Sequence, residues 1–209
     1  SAYTDADELK TESIPENITT GYLRMLTEDG VTKNRNLTIF YPSYDTEVTE
    51  NAMKKVMQTD TPCVKLVNVK INLGEYPLTF ADKKRVVLDE CDFTGGGTIV
   101  FHNCKEIIVQ SSRFHDFDKR VVVVSGEDRF DMRITNCTFE NCYDEYRNAS
   151  NGRAPLGVIY AESAKSENSI FINDCTFDSC GGRSGESYYQ SSIICNYPSP
   201  VKNSRIINC

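Results

Sequence analysis

Residues 134–142 read ITNCTFENC, and residues 172–180 read INDCTFDSC. Two cysteines, a Thr-Phe pair and a polar doublet return in the same order at the same intervals. Self-similarity of this kind governs the reading of the whole chain, because it is the mark of stacked units that bury their apolar sides against one another. Alignment on the phenylalanine extends the family of copies to VVLDECDF (86–93), IIVQSSRF (107–114), MRITNCTF (132–139) and IFINDCTF (170–177), with SRIINC (204–209) aligned as the opening of a fifth. Four columns emerge. The first holds Val86, Ile107, Met132 and Ile170; the second Leu88, Val109, Ile134, Ile172 and Ile206; the third Cys91, Ser112, Cys137, Cys175 and Cys209; the fourth Phe93, Phe114, Phe139 and Phe177.

Within a copy the first two columns are two residues apart, as are the last two, which is the alternation of a strand with one side indoors. Between the second and third columns the step is three. Strict alternation would carry Asp174 indoors, so the break in parity marks a corner, taken by a polar pair such as Thr135-Asn136 or Asn173-Asp174. A third apolar run follows in each copy: TIVFH from Thr98, VVVV from Val121, GVIYA from Gly157 and SSIIC from Ser191. These have the length and composition of short buried strands. The phenylalanines are 21, 25 and 38 residues apart. Stacked coils accept such unevenness, because each touches only its neighbours and an insert can leave at a corner. Two segments, YDEYRNASNGRAP (143–155) and GGRSGESYYQ (181–190), enter after the second cysteine of the motif. They are expected to emerge on one side, one above the other.

This pattern, best developed over residues 63–209, resembles the right-handed parallel β-helix, the pectate-lyase-like architecture of polysaccharide lyases, polygalacturonases, phage tailspikes and repeat-bearing bacterial surface proteins. The fold class expected is all-β, with a short α-helix in an N-terminal capping region. NCTFENC and DCTFDSC look most like the degenerate repeats of adhesin-type β-helices, which implies a secreted or cell-surface location. The fold alone is silent on function.

Residues 61–209 are read as the β-helix, continuing beyond Cys209, and residues 1–60 as its cap, with a small separate domain as the rival reading. CVKLVNVKINL (63–73) with YPLTF (76–80) supplies a first coil, and NLTIFY (36–41) a strand before it. In TEVTENAMKKVMQ (46–58), Val48, Ala52 and Val56 fall at helical intervals behind a Thr or Asp N-cap. A helix there answers a physical need, since the open end of a stack exposes unpaired backbone groups.

Composition narrows the function. The chain has 209 residues, a net charge of -7 and no Lys/Arg run, which argues against a nucleic-acid partner. No stretch of eighteen apolar residues is present, so direct membrane insertion is not expected. Oligomeric state is not legible. Nine cysteines, without tight CxxC pairs, argue against a zinc ribbon or a simple disulfide scaffold. Stacked Cys137/Cys175 and Cys142/Cys180 lie within bridging reach, but the reading favoured over disulfides is a core of inert buried thiols, since Ser112, which cannot bridge, shares the column. No metal ligand set is assigned.

Two surfaces carry candidate chemistry. RFHDFDKR (113–120) is dense in ionisable groups, and His115, Glu140 and Asp178 share an outward column. Carboxylates one rung apart, about 5 Å, suit a retaining glycosidase, so Arg113, His115, Glu140 and Asp178 are the catalytic candidates. The familiar lyase and polygalacturonase motifs of the resembling families are absent, and a solvated charged face explains the same residues. The lyase reading would add calcium as a cofactor; otherwise none is expected. The inserts hold Tyr143, Tyr146, Arg147, Arg153, Arg183, Tyr188 and Tyr189, flat hydrogen-bonding side chains suited to a glycan or protein ligand. Packing of the tyrosines within the loops is the alternative. The reading favoured is a non-catalytic β-helix displaying a recognition surface, ahead of a polysaccharide lyase or glycoside hydrolase.

Overall fold

A computed structural model describes residues 31–33, 35–42, 47–75, 77–146, 158–162, 168–184, 194–195, 201–202 and 205–209. The strands form three parallel stacks, and the chain visits each in turn before returning one rung higher. On the first face lie Leu37–Phe40, Cys63–Val67, Arg85–Asp89, Glu106–Gln110, Asp131–Thr135, Ser169–Asn173 and Val201–Lys202, with Val31–Lys33 antiparallel beneath them. The second face stacks Lys70–Asn72, Asp92–Thr94, Arg113–His115, Thr138–Glu140, Thr176–Asp178 and Arg205–Ile207. The third stacks Leu78–Ala81, Ile99–His102, Val122–Ser125, Ile159–Ala161 and Ile194–Cys195. This is the right-handed parallel β-solenoid expected from the repeat.

The corners are tighter than a polar pair. Thr135 and Asn173 remain in their strands, and one residue makes each turn: Asn68, Glu90, Ser111, Asn136 and Asp174 between the first and second faces, all with φ between 50° and 54°. Asp116, Asn141, Ser179 and Asn208 do the same after the second face. A Cβ resists this left-handed conformation by about 1–2 kcal/mol, and the short polar side chains of Asn and Asp resist it least. One left-handed residue reverses the parity of the strand, which is why Ile134 and Cys137 both point inward across a step of three. A second device recurs at glycine. Gly126 has φ +100°, and a Cβ there would lie 2.0 Å from Asn103 Oδ1, which accepts the amides of Glu127 and Asp128 at 2.9 and 3.3 Å. The side chain of the rung below thus fills the turn above.

Inside, like sits on like. Phe93, Phe114, Phe139 and Phe177 are in register and fully buried, with ring centroids 5.6, 4.8 and 4.7 Å apart and planes within 13° of parallel. Each buried ring contributes roughly 1.5–3 kcal/mol by removal from water. Phe80 and Phe101 stack likewise behind the third face, at 5.4 Å. The fifth copy needs a correction. Ile206 pairs with Phe177, not Ile172, and Cys209 lies above Cys180, not Cys175; the first-face strand of that coil is Val201–Lys202. Ile206 occupies the phenylalanine column, and an Ile-Asn-Cys run fits either corner when the aromatic marker is missing.

The bottom of the stack is closed by the helix Glu50–Met57, α1, whose N-cap Thr49 accepts the Ala52 amide at 3.2 Å. Its Met53 and Val56 are buried in the same core as Val64, Leu66 and Phe80. The helix expected within 46–58 is therefore present, and its amphipathic face covers the first coil.

Candidate functional site

Alternation along the second-face strands turns Phe114, Phe139 and Phe177 inward and leaves two outward columns. One contains Asp92, Arg113, Thr138 and Thr176; the other contains Thr94, His115, Glu140 and Asp178. All four catalytic candidates therefore lie on one exterior face, with Glu140 and Asp178 on adjacent rungs. They are engaged with one another and with their surroundings. Arg113 donates to Glu140 Oε2 at 2.9 Å and lies 3.9 Å from Asp92 Oδ2. His115 sits between carboxylates, Nε2 to Asp92 Oδ1 at 2.6 Å and Nδ1 to Asp116 Oδ2 at 2.8 Å. Asp178 Oδ1 accepts from the Ser179 hydroxyl at 3.0 Å and the Asn208 amide at 3.4 Å.

Asp116 completes a chain of contacts through three rungs. Hydrogen bonds from Asn141 and then from His115 hold its carboxyl below the usual value, against slight desolvation. The Arg113 guanidinium is held above its usual value, mainly by the hydrogen bond to Glu140. Asp92 and Asn141, which the sequence reading did not single out, are integral to this network. Their signal was available only through register: both stand one rung from a residue of the 113–120 cluster. Among the described residues no cluster of three His, Cys, Asp or Glu side chains is arranged to hold a metal ion.

The two inserts leave the coil at the same point. After Cys142 and Cys180 the chain continues as Tyr143–Tyr146 and Gly181–Ser184, which pair in parallel as a separate two-stranded sheet. Tyr143 opposes Gly181, Glu145 opposes Arg183, and Tyr146 opposes Ser184. The Tyr143 amide donates to Phe117 O one rung below at 2.9 Å, which anchors this flange to the solenoid. Tyr143 is half-buried. Arg147, Arg153, Tyr188 and Tyr189 lie outside the described residues.

The cysteines have a structural explanation. Cys63, Cys91, Cys104, Cys137, Cys142, Cys175 and Cys180 are buried free thiols, and Cys209 is an exposed one. Each corner cysteine donates back across its corner: Cys137 to Thr135 O at 3.3 Å, Cys142 to Glu140 O at 3.3 Å, Cys175 to Asn173 O at 3.3 Å. Ser112 makes the same bond to Gln110 O at 2.8 Å. Burial pushes the Cys91 thiol up to about 12 and Cys104 up to about 11. In the stacked pairs, the hydrogen bond between the two sulfurs raises Cys137 and Cys142 and lowers Cys175 and Cys180. Cys91 and Cys104, raised by burial, have the opposite of the environment a reactive cysteine needs.

The sequence profile described as "Right handed beta helix region" matches residues 27–199. The chain belongs to the right-handed β-helix family. No curated protein and no solved structure matches it. The three parallel faces of the structure are the coils of this β-helix fold. Among the described residues no helix is long and apolar enough to cross a membrane.

Proposed function

We propose that this β-helix is a non-catalytic display scaffold, part of a secreted or cell-surface adhesin-type protein, that presents a recognition surface for a glycan or protein. The flange carries the proposal: two inserts of unrelated sequence depart at equivalent corners and pair with each other, so length has been added at one place on the surface while every rung of the core is retained. Long segments added to a compact scaffold are more often functional than not. Tyr143, Tyr146 and Arg183 fall on this flange, and Arg147, Arg153, Tyr188 and Tyr189 belong to the same inserts. The mutual engagement of Arg113 with Glu140, and of His115 with Asp92 and Asp116, favours a structural ladder over a catalytic centre.

Retention of the chain on glycan arrays and on immobilised surface proteins tests the reading. A ligand should be found whose retention is lost on Tyr143→Ala with Arg183→Ala while thermal melting is unchanged. The register of Asp178 one rung above Glu140 supports one rival, a polysaccharide lyase or glycoside hydrolase. Turnover of acidic or neutral polysaccharides, with or without calcium, that disappears in Glu140→Gln would replace the display reading with that one.

A further inference from the structure

Thiol stands over thiol at both ends of one strand pair. Cys137 and Cys142 flank Thr138–Glu140, and Cys175 and Cys180 flank Thr176–Asp178 on the next rung, with Thr138 opposite Thr176 and Glu140 opposite Asp178. The backbones are joined at the cysteines themselves: the Thr176 amide donates to Cys137 O and the Gly181 amide to Cys142 O, each at 3.0 Å. All four side chains are buried, and in each pair the two sulfurs are hydrogen-bonded to each other. Cα atoms one rung apart are about 4.8 Å from each other, inside the range that a disulfide spans. What a bridge would displace is weak. The sulfur donations to carbonyls, Cys142 to Phe114 O at 3.4 Å and Cys180 to Phe139 O at 3.2 Å, come from a poor donor.

Three other thiols are placed differently. Cys91 meets a hydroxyl in the next rung, its amide bonding to Ser112 Oγ at 3.1 Å. Cys104 lies at another corner, where it donates to Phe80 O and His102 O. Cys209 stands above Cys180, but its sulfur is engaged with backbone, accepting the Cys180 amide at 3.3 Å and donating to Ile207 O at 3.2 Å. We propose that Cys137 with Cys175, and Cys142 with Cys180, form an oxidation site that closes as two vertical disulfides and staples the two rungs from which the inserts leave. The oxidant is a small-molecule disulfide; its supply, but not the pairing, rests on the secreted or cell-surface reading. The upper sulfur of a pair, favoured as thiolate by the hydrogen bond from its partner, attacks one sulfur of the oxidant, whose S–S bond breaks and expels a first small thiol. The lower sulfur gives up its proton and attacks the mixed disulfide, forming the vertical bond and expelling a second. Two protein thiols are oxidised, one disulfide is reduced, and the two small thiols carry off both protons. Each bridge closes a loop that holds a whole coil and the insert beginning at Tyr143, and the constraint on the unfolded chain grows with loop length.

Refolding of the full chain in a glutathione redox buffer, followed by alkylation and peptide mapping, tests the proposal. Cys137 should be recovered joined to Cys175 and Cys142 joined to Cys180, with the loss of two hydrogens per bridge, while Cys91 and Cys104 are alkylated. Reduction should then lower the melting temperature, and Cys175→Ser with Cys180→Ser should abolish that shift; Ser112 shows that such a column accepts a hydroxyl. Either pair recovered as alkylated thiols overturns the proposal. So does a bridge from Cys180 to Cys209, or oxidation that strikes Cys91 and Cys104 as readily. Should the chain not refold, the native protein is held in the same buffer and mapped against the same criteria. Because the oxidant is supplied, these outcomes judge the pairing whether or not the protein is secreted.

Discussion

The two sides of the second face obey different rules although the same residues build them. Inward, phenylalanine holds four consecutive rungs between Ile71 and Ile206, and the rings stack at 5.6, 4.8 and 4.7 Å. Outward, the neighbouring positions run Thr94, His115, Glu140, Asp178 with no repeated identity. A ring between two rings has only one good substitute, because an interior packed at crystal density registers the loss of even a methylene. A side chain facing water has many substitutes. Periodicity in such a molecule therefore reports the core, and departures from it report the surface.

That contrast can be broken from the inside with the largest effect. Phe139→Ala removes a ring stacked on both sides and is expected to cost about 3–5 kcal/mol, read by denaturant unfolding. Phe93→Ala, with one ring neighbour at 5.6 Å, should cost less, and equal losses would deny the stack any role beyond burial. Next come the corners. Asn136→Val forces a β-branched residue to φ 51° and should cost about 1–3 kcal/mol, whereas Asn136→Gly should be close to neutral; a large loss for glycine would shift the role of Asn136 from its backbone to its side chain.

The outside should respond weakly. A double-mutant cycle on Arg113 and Glu140, whose side chains are 48% and 41% exposed, is expected to give a coupling of only about 0.2–1 kcal/mol. A coupling several times larger would mark that pair as more than a solvated ladder. The smallest effect sharpens the sign of the electrostatics. Because hydrogen bonds from Asn141 and His115 depress the Asp116 carboxyl in the fold, its contribution is fully present above the unfolded value and is lost as pH falls through the lower folded one. Asn141→Ala removes the larger cause, so melting temperature should fall less steeply in acid than for the wild type; an unchanged slope would remove Asp116 from the account.

The inward columns and the three strands of each coil were legible because packing repeats, and so was the departure point of the inserts, since Cys142 and Cys180 precede both. The single-residue corner was not. Thr135-Asn136 looks like a polar pair on paper, and only the backbone shows that Thr135 completes a strand while Asn136 alone turns. The donor role of the cysteines was hidden in one observation, the presence of Ser112 in their column: a thiol and a hydroxyl share little except a γ-atom that can donate. The fifth coil was misread because Ile206 stands where an aromatic ring would have announced the register. The electrostatic network was the least legible part, since Asp92 and His115 are 23 residues apart in sequence and meet only through the height of one rung.

The junction after Cys142 and Cys180 also has meaning for how such a protein changes over time. Corners made by one residue leave no slack to delete, and rungs locked in register admit nothing between them, so this junction works as a splice point where foreign sequence can be grafted and discarded while the tower beneath it stays intact. New specificities would then be acquired by exchanging what is grafted there, with the thiol at each junction serving as the rivet.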